Sequence, residues 1–155
     1  MSEKRNIPFS PPDITDQEID AVVEVLKSGW ITSGPNLASF EKEIEEYCNV
    51  DNSIALNSAT ASMELVLKTL DIKEGDEIIS TPYTYTATSS VAVHRGIKPI
   101  YVDVKKDSFY MDEEKLAEAI TPKTKVIMPV DIAGYPCDYD AIKSILKEKN
   151  REDII

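Results

Sequence analysis

The chain has 155 residues, with 17 basic and 28 acidic side chains and a net charge of −11. At 42% hydrophobic and 29% charged residues, the composition is globular rather than disordered, and the length can bury a core without staples. The acidic balance excludes nucleic acid and anionic membranes as natural partners, since both need clustered Lys and Arg. No apolar run approaches the ~18 residues of a membrane span, and the start MSEKRNIPFS has no apolar signal core. The expectation is a cytoplasmic protein. Cys48 and Cys137 cannot by themselves form a metal-ligand set, and nothing suggests an oxidising compartment. Both read as ordinary buried or half-buried thiols.

Residues 1–14 contain Pro8, Pro11 and Pro12 and read as an extended arm, because proline fixes φ and keeps its predecessor out of the helical region. Thr15 and Glu18 form a capping box for a helix carrying Ile19, Val22, Val23 and Leu26 on one face, stopped by Ser28-Gly29. After the loop Trp30-Ile31-Thr32-Ser33-Gly34-Pro35, a second helix runs from about Asn36 to Cys48 with Leu37, Phe40, Ile44 and Tyr47 on one face. Ser53-Ile54-Ala55-Leu56 is a short apolar run that reads as a first strand, leading into Asn57-Ser58-Ala59-Thr60 and a helix with Met63, Val66, Leu67 and Leu70. Further strands are expected at Glu77–Ser80, Lys98–Val102 and Lys125–Val130. Helices are expected from about Thr86 to Arg95 with Gly96 as the C′ residue, from Asp112 to before Pro122, and from Asp138 to Asn150. Asp153-Ile154-Ile155 looks like a strand cut short.

Strands and helices alternate, and the strands are continuous apolar runs rather than alternating ones. The fold class is therefore α/β, a mainly parallel sheet flanked by helices. Ligands of such sheets bind at the carboxyl ends of the strands, where three loops carry unusual residues. In Asn57-Ser58-Ala59-Thr60, small side chains at a helix start let an anion reach free backbone N–H groups; from these residues alone, a plain Ser cap is the simpler account. In Pro82-Tyr83-Thr84-Tyr85, the Tyr85 ring could lie over a flat heterocycle or could only pack. Asp131, after the Val-Ile-Met-Pro-Val strand, could face a cofactor or amine, or cap amides in its own turn. His94, the one histidine, sits at a helix end beside Arg95 where the dipole accounts for it. There is no Walker or dinucleotide glycine pattern and no G-x-S-x-G elbow.

Taken in order, Gly29-Trp30-Ile31-Thr32-Ser33-Gly34-Pro35, Asn57–Ser62, Gly75–Tyr85, Pro99–Val104, Ile120–Lys125 and Pro129–Gly134 resemble the N-terminal part of the DegT/StrS-type sugar aminotransferases. The resemblance runs from Ile7 onward. It implies a fold-type I enzyme using pyridoxal 5′-phosphate (PLP), usually a homodimer, that moves an amino group, usually from glutamate, to a nucleotide-linked keto-sugar. By the same resemblance, Ser58, Ala59 and Thr60 belong to the phosphate-binding turn and Tyr85 is the ring-stacking aromatic. Asp131 lies where many relatives carry His, and Trp30, Ile31 and Thr32 form a loop near the sugar. The family's Schiff-base lysine and its acidic partner for the pyridinium nitrogen are expected downstream of Ile155, so no catalytic residue is assigned within the chain. Lys68, Lys73, Lys98, Lys123 and Lys125 read as surface charge.

The implied organisation is an arm at 1–14 and an incomplete PLP-transferase-like α/β domain at 15–155, inactive by itself. Two other readings remain open at this point. One is a PLP-dependent sugar dehydratase of the same fold. The other is a complete, non-catalytic α/β ligand-binding module.

Overall fold

The computed structural model describes residues 6–8 and 10–155, so the expected arm lies partly outside the described residues. The described chain forms two compact units, 1–55 and 56–155.

The first unit contains α1 (Asp16–Ser28) and α2 (Pro35–Cys48). Thr15 and Glu18 make the expected capping box, the Thr15 amide donating to Glu18 Oε2 at 2.6 Å. Gly29 ends α1 in the left-handed region at φ 72°, where glycine avoids the Cβ clash. Pro35 opens α2 at a position that needs no N–H. The helical spacing of α1 was legible, but its apolar face is not buried: Ile19, Val22, Val23 and Leu26 are all exposed, and neither helix has a buried residue. On α2, Leu37 and Ile44 are half-buried, whereas Phe40, Tyr47 and Cys48 are exposed. That corrects the reading of Cys48: it is an exposed thiol at the helix end.

Ser53–Leu56 is also corrected. It takes no strand hydrogen bonds, and Ile54 is 73% exposed. Instead the amides of Ser53 and Ala55 donate to the side chains of Glu45 and Glu41, each at 2.9 Å. A short apolar run becomes a strand only where a neighbour accepts its ladder bonds, and here carboxylates of α2 take them.

The second unit is a three-layer α/β arrangement. In chain order it contains α3 (Ala59–Thr69), β1 (Glu77–Ser80), α4 (Ala87–Val93), β2 (Lys98–Tyr101), α5 (Glu113–Ala119), β3 (Thr124–Met128) and α6 (Tyr139–Glu148). The strands lie in the order β2-β1-β3, all parallel. Side chains alternate across the sheet. Ile78 and Val126 join Leu67, Ile72, Val91, Ala92 and Ile97 on the face covered by α3 and α4. Ile79 and Ile127 join Val102, Met111, Leu116, Cys137, Ile142 and Ile154 on the other. This double burial is why the strands read as unbroken apolar runs. Pro99 sits in the outer strand β2, where a missing N–H is tolerated. At the far end, Ile155 N–H donates to Lys125 O and Ile155 O accepts from Ile127 N–H, at 3.1 and 2.8 Å. Ile155 therefore begins a further parallel pairing beside β3, as its apolar character suggested.

Leu116→Ala should cost about 2–5 kcal/mol, because this fully buried side chain fills the α5 side of the core. Leu65→Ala, on the 42% exposed face of α3, should cost about 0.5 kcal/mol or less. Urea denaturation of both variants checks the contrast; similar losses would mean that the α5 layer is not part of the core.

Candidate functional site

The strand order makes one place in the second unit special. From β1 the chain turns to α4 on one face, and from β3 it turns to α6 on the other. The loops leaving these adjacent strands diverge, which opens a crevice at their carboxyl ends, the switch point where parallel sheets take ligands. Its floor is tied by the Ser80 hydroxyl, which donates to Met128 O at 2.8 Å.

One loop at this crevice carries Tyr85, 82% exposed. The loop is held from behind: the hydroxyls of Thr84 and Thr88 meet at 2.8 Å, and the Tyr85 carbonyl accepts the Thr88 N–H. Tyr85 thus precedes α4 by two residues rather than opening it. Its neighbour Tyr83 stacks on Phe109, with centroids 4.9 Å apart, so of the two tyrosines only Tyr85 has a ring without an aromatic partner among the described residues.

α3 reaches β1 through the turn at 70–76, so it runs antiparallel to β1 and begins on the carboxyl side of the sheet. Ser58 is its N-cap, and its Oγ accepts the Ala61 N–H at 3.1 Å while its carbonyl takes the Ser62 N–H at 3.2 Å. Ala59 and Thr60 N–H are the two first-turn donors left, and neither donates a hydrogen bond among the described residues. Both readings of Ser58-Ala59-Thr60 are thus compatible: Ser58 is a cap, and the cap leaves two N–H groups free for an anion.

Asp131 does what a turn-capping aspartate does. Its Oδ1 accepts the Cys137 N–H at 2.9 Å, and both oxygens lie 3.0 Å from the Tyr139 hydroxyl. The loop between them includes a 3-10 turn, Ile132–Gly134, with Ala133 at φ 53°. The Cys137 amide above all holds the Asp131 carboxyl below the usual aspartate range; burial opposes it, and the Tyr139 hydroxyl adds a smaller lowering. Burial, then Asp131, pushes the Tyr139 phenol up to about 12. Burial also raises the Cys137 thiol. Tyr139 was not singled out from the sequence; the only hint was a tyrosine opening a helix eight residues after an aspartate.

In the first unit, the Trp30 Nε1–H donates to Ser33 O at 2.8 Å, and the ring covers Gly34. Ile31 and Thr32 extend beside it, exposed. His94 is exposed, with Nδ1 3.4 Å from Glu64. Among the described residues no cluster of His, Cys, Asp or Glu could hold a metal, and no helix is long and apolar enough to cross a membrane.

Residues 12–151 match the DegT/DnrJ/EryC1/StrS aminotransferase family. The chain belongs to that family. It is 43% identical over 148 residues to the uncharacterized protein MJ1066 of Methanocaldococcus jannaschii, covering 96% of this chain and 38% of that one. It is 40% identical over 147 residues to the spore coat polysaccharide biosynthesis protein SpsC of Bacillus subtilis, covering 94% and 38%. Among solved structures, the PMP form of the "Putative sugar aminotransferase Spr1654" of Streptococcus pneumoniae superposes with a TM-score of 0.88 at 49% identity, covering 97% of this chain and 37% of that one. The E. coli GDP-4-keto-6-deoxy-D-mannose-3-dehydratase with bound hydrated PLP gives a TM-score of 0.87 at 27% identity, covering 97% and 39%. The chain spans about 38% of the length of the curated relatives it matches. The α/β architecture expected from the sequence is the one found.

Two outcomes follow from this geometry. A Cβ at Gly34 would clash with the Trp30 ring at Nε1, so Gly34→Ala should expel the ring and shift the emission of this sole tryptophan, with helical circular dichroism unchanged. Unaltered emission would show that the ring does not rest on Gly34. Asp131, with a depressed folded pKa, stabilises the fold above the unfolded aspartate pKa and loses that contribution as pH falls through the folded value. Asp131→Asn should therefore lessen the fall in melting temperature between neutral and acid pH.

Proposed function

We propose that this chain is the cofactor-cradling N-terminal part of a PLP-dependent aminotransferase that moves an amino group, usually from glutamate, to a nucleotide-linked keto-sugar. The observation that carries this reading is the pair of free N–H groups at Ala59 and Thr60, on the carboxyl side of a sheet whose switch-point loop presents an exposed Tyr85. Family membership and the PLP- and PMP-bound neighbours support it. So does the name of the spore coat polysaccharide relative.

The donor set fits a phosphorylated flat ring. A phosphate at the start of α3 would take the Ala59 and Thr60 amides, the Thr60 hydroxyl and the hydroxyl proton of Ser58, with the helix dipole favouring its charge. Tyr85 would lie against one face of the ring, fix its tilt and exclude water there. Asp131 would offer a carboxylate at the crevice mouth, already ionised at neutral pH. When bound, the cofactor supplies the electron sink, and the chain supplies orientation and charge. The Schiff-base lysine belongs, on this reading, to the part of the protein after Ile155, so these residues by themselves bind and orient without completing the reaction. Trp30, Ile31 and Thr32 are proposed for the sugar side on the family resemblance. The working protein is proposed to be a cytoplasmic homodimer.

A second reading is a PLP-dependent sugar dehydratase, supported by the likeness to the E. coli dehydratase. Retention of nitrogen on the sugar separates the two. The full-length protein with PLP should convert glutamate to 2-oxoglutarate, one equivalent per site without a sugar acceptor, and with a nucleotide-linked keto-sugar should yield an aminated sugar. No glutamate reaction, or a deoxygenated sugar without nitrogen, would defeat the aminotransferase reading. In the same protein, Thr60→Ala should weaken PLP by about 1–2 kcal/mol, the scale of a lost charge-assisted hydrogen bond. Tyr85→Phe should keep most of the affinity and Tyr85→Ala should lose about tenfold. Equilibrium dialysis against PLP checks all three, and an unchanged Kd for Tyr85→Ala would reduce that ring to packing.

A further inference from the structure

Several carboxylates in the second unit stand beside cations. Asp103 has Lys115, Glu113 has Lys105, Glu77 has Lys98 and Asp153 has Arg151. Asp131 is different. It is held by two neutral donors, the Cys137 N–H and the Tyr139 hydroxyl, and among the described residues no cation pairs with it. Its charge is therefore kept in place without being cancelled.

The geometry divides the two donors by role. The Cys137 amide belongs to the same loop as Asp131 and closes it. The Tyr139 hydroxyl comes from the first residue of α6, whose start is fixed by Asp138 Oδ1 accepting the Ala141 N–H at 2.9 Å. Ile142, one turn on, is buried in the core. Tyr139 thus connects Asp131 to a rigid element, and a phenol centred 3.0 Å from both oxygens restrains the rotation of the carboxylate as well as its position.

We propose that Tyr139 is a positioning residue for Asp131, holding it as an uncancelled anion at the β1/β3 crevice for a protonated nitrogen of the bound ligand. The ligand class rests on the aminotransferase reading above; the pairing of the two side chains does not. The titratable groups facing Asp131 are the Tyr139 phenol and the Cys137 thiol. With the phenol pushed up to about 12 and the thiol also raised, both stay protonated around neutral pH. Asp131 is then the one of the three that carries charge. Tyr139→Phe removes the hydroxyl and keeps the ring, so packing against the loop survives while donation is lost.

The test uses the full-length protein labelled with 13C at aspartate Cγ, the Asp131 resonance being identified by its loss in Asp131→Asn. Tyr139→Phe should move the Asp131 titration to higher pH, partway toward an ordinary aspartate, because the Cys137 amide remains. It should also slow the half-reaction of the PLP-loaded protein with glutamate about tenfold near neutral pH and move the acid limb of that rate upward in pH. Glutamate KM, rather than PLP affinity, should carry most of the loss. An Asp131 titration unchanged in Tyr139→Phe would overturn the positioning role whatever the activity. A shifted titration with an unchanged glutamate reaction would overturn the role toward a ligand nitrogen. A wild-type protein with no glutamate reaction would defeat the functional reading, and the titration would still decide the pairing.

Discussion

The structure depends on the double pairing of β1. Glu77–Ser80 is bonded to a parallel neighbour on each side and covered on both faces, so Ile78 and Ile79 are 1% and 0% exposed. A four-residue strand has little stability by itself. Here every side chain is buried, and the ladder satisfies the backbone that burial would otherwise leave unpaired. Because β2 lies on one side of β1 and β3 on the other, the connections alternate between faces, and the crevice at the carboxyl ends follows from that order. The site is a consequence of strand order before it is a matter of side chains.

The two ends of the sheet are built differently. At the amino end, polar groups close on one another. Glu77 accepts the Thr121 hydroxyl at 2.5 Å. Arg151 donates to the carbonyls of Thr121 and Thr124 at 2.5 and 2.7 Å and pairs with Asp153. These bonds fix the turn at 121–124 and the segment that carries Ile155 alongside β3. At the carboxyl end, donors remain open at Ala59 and Thr60 and an aromatic ring remains bare at Tyr85. The amino end is thus tied together, whereas the carboxyl end keeps, among the described residues, two unpaired donors and a bare ring.

A phosphate at the proposed α3 site would face an electrostatic difficulty, since the net charge is −11. Backbone N–H groups at a helix start resolve it locally. They are fixed partial charges within hydrogen-bond reach, whereas the repulsion from surface carboxylates is screened over roughly 8–10 Å in physiological salt. The same logic applies in reverse to Asp131. Neutral donors stabilise its charge without neutralising it, which on the proposal above leaves it available to a cation arriving with the ligand.

What the sequence determined by itself was whatever is settled within three or four residues. Thr15 with Glu18, Gly29, Ser58, Asp112 and Asp138 marked helix ends because caps bond to the next turn. The buried strands announced themselves as apolar runs, and the loops holding Tyr85 and Asp131 could be placed after them. Burial and pairing were decided only by the tertiary structure. Ile19, Val22, Val23 and Leu26 have helical spacing yet stay exposed, and Ser53–Leu56 is apolar yet unpaired. A period of hydrophobicity shows which face could be covered, not whether anything covers it. Tyr139 was invisible for a related reason. Its bond to Asp131 spans a loop whose path is set by Ala133 in the left-handed region and by the docking of α6. No local rule links an aspartate to a tyrosine eight positions on; only the folded loop brings the two oxygens and the hydroxyl together.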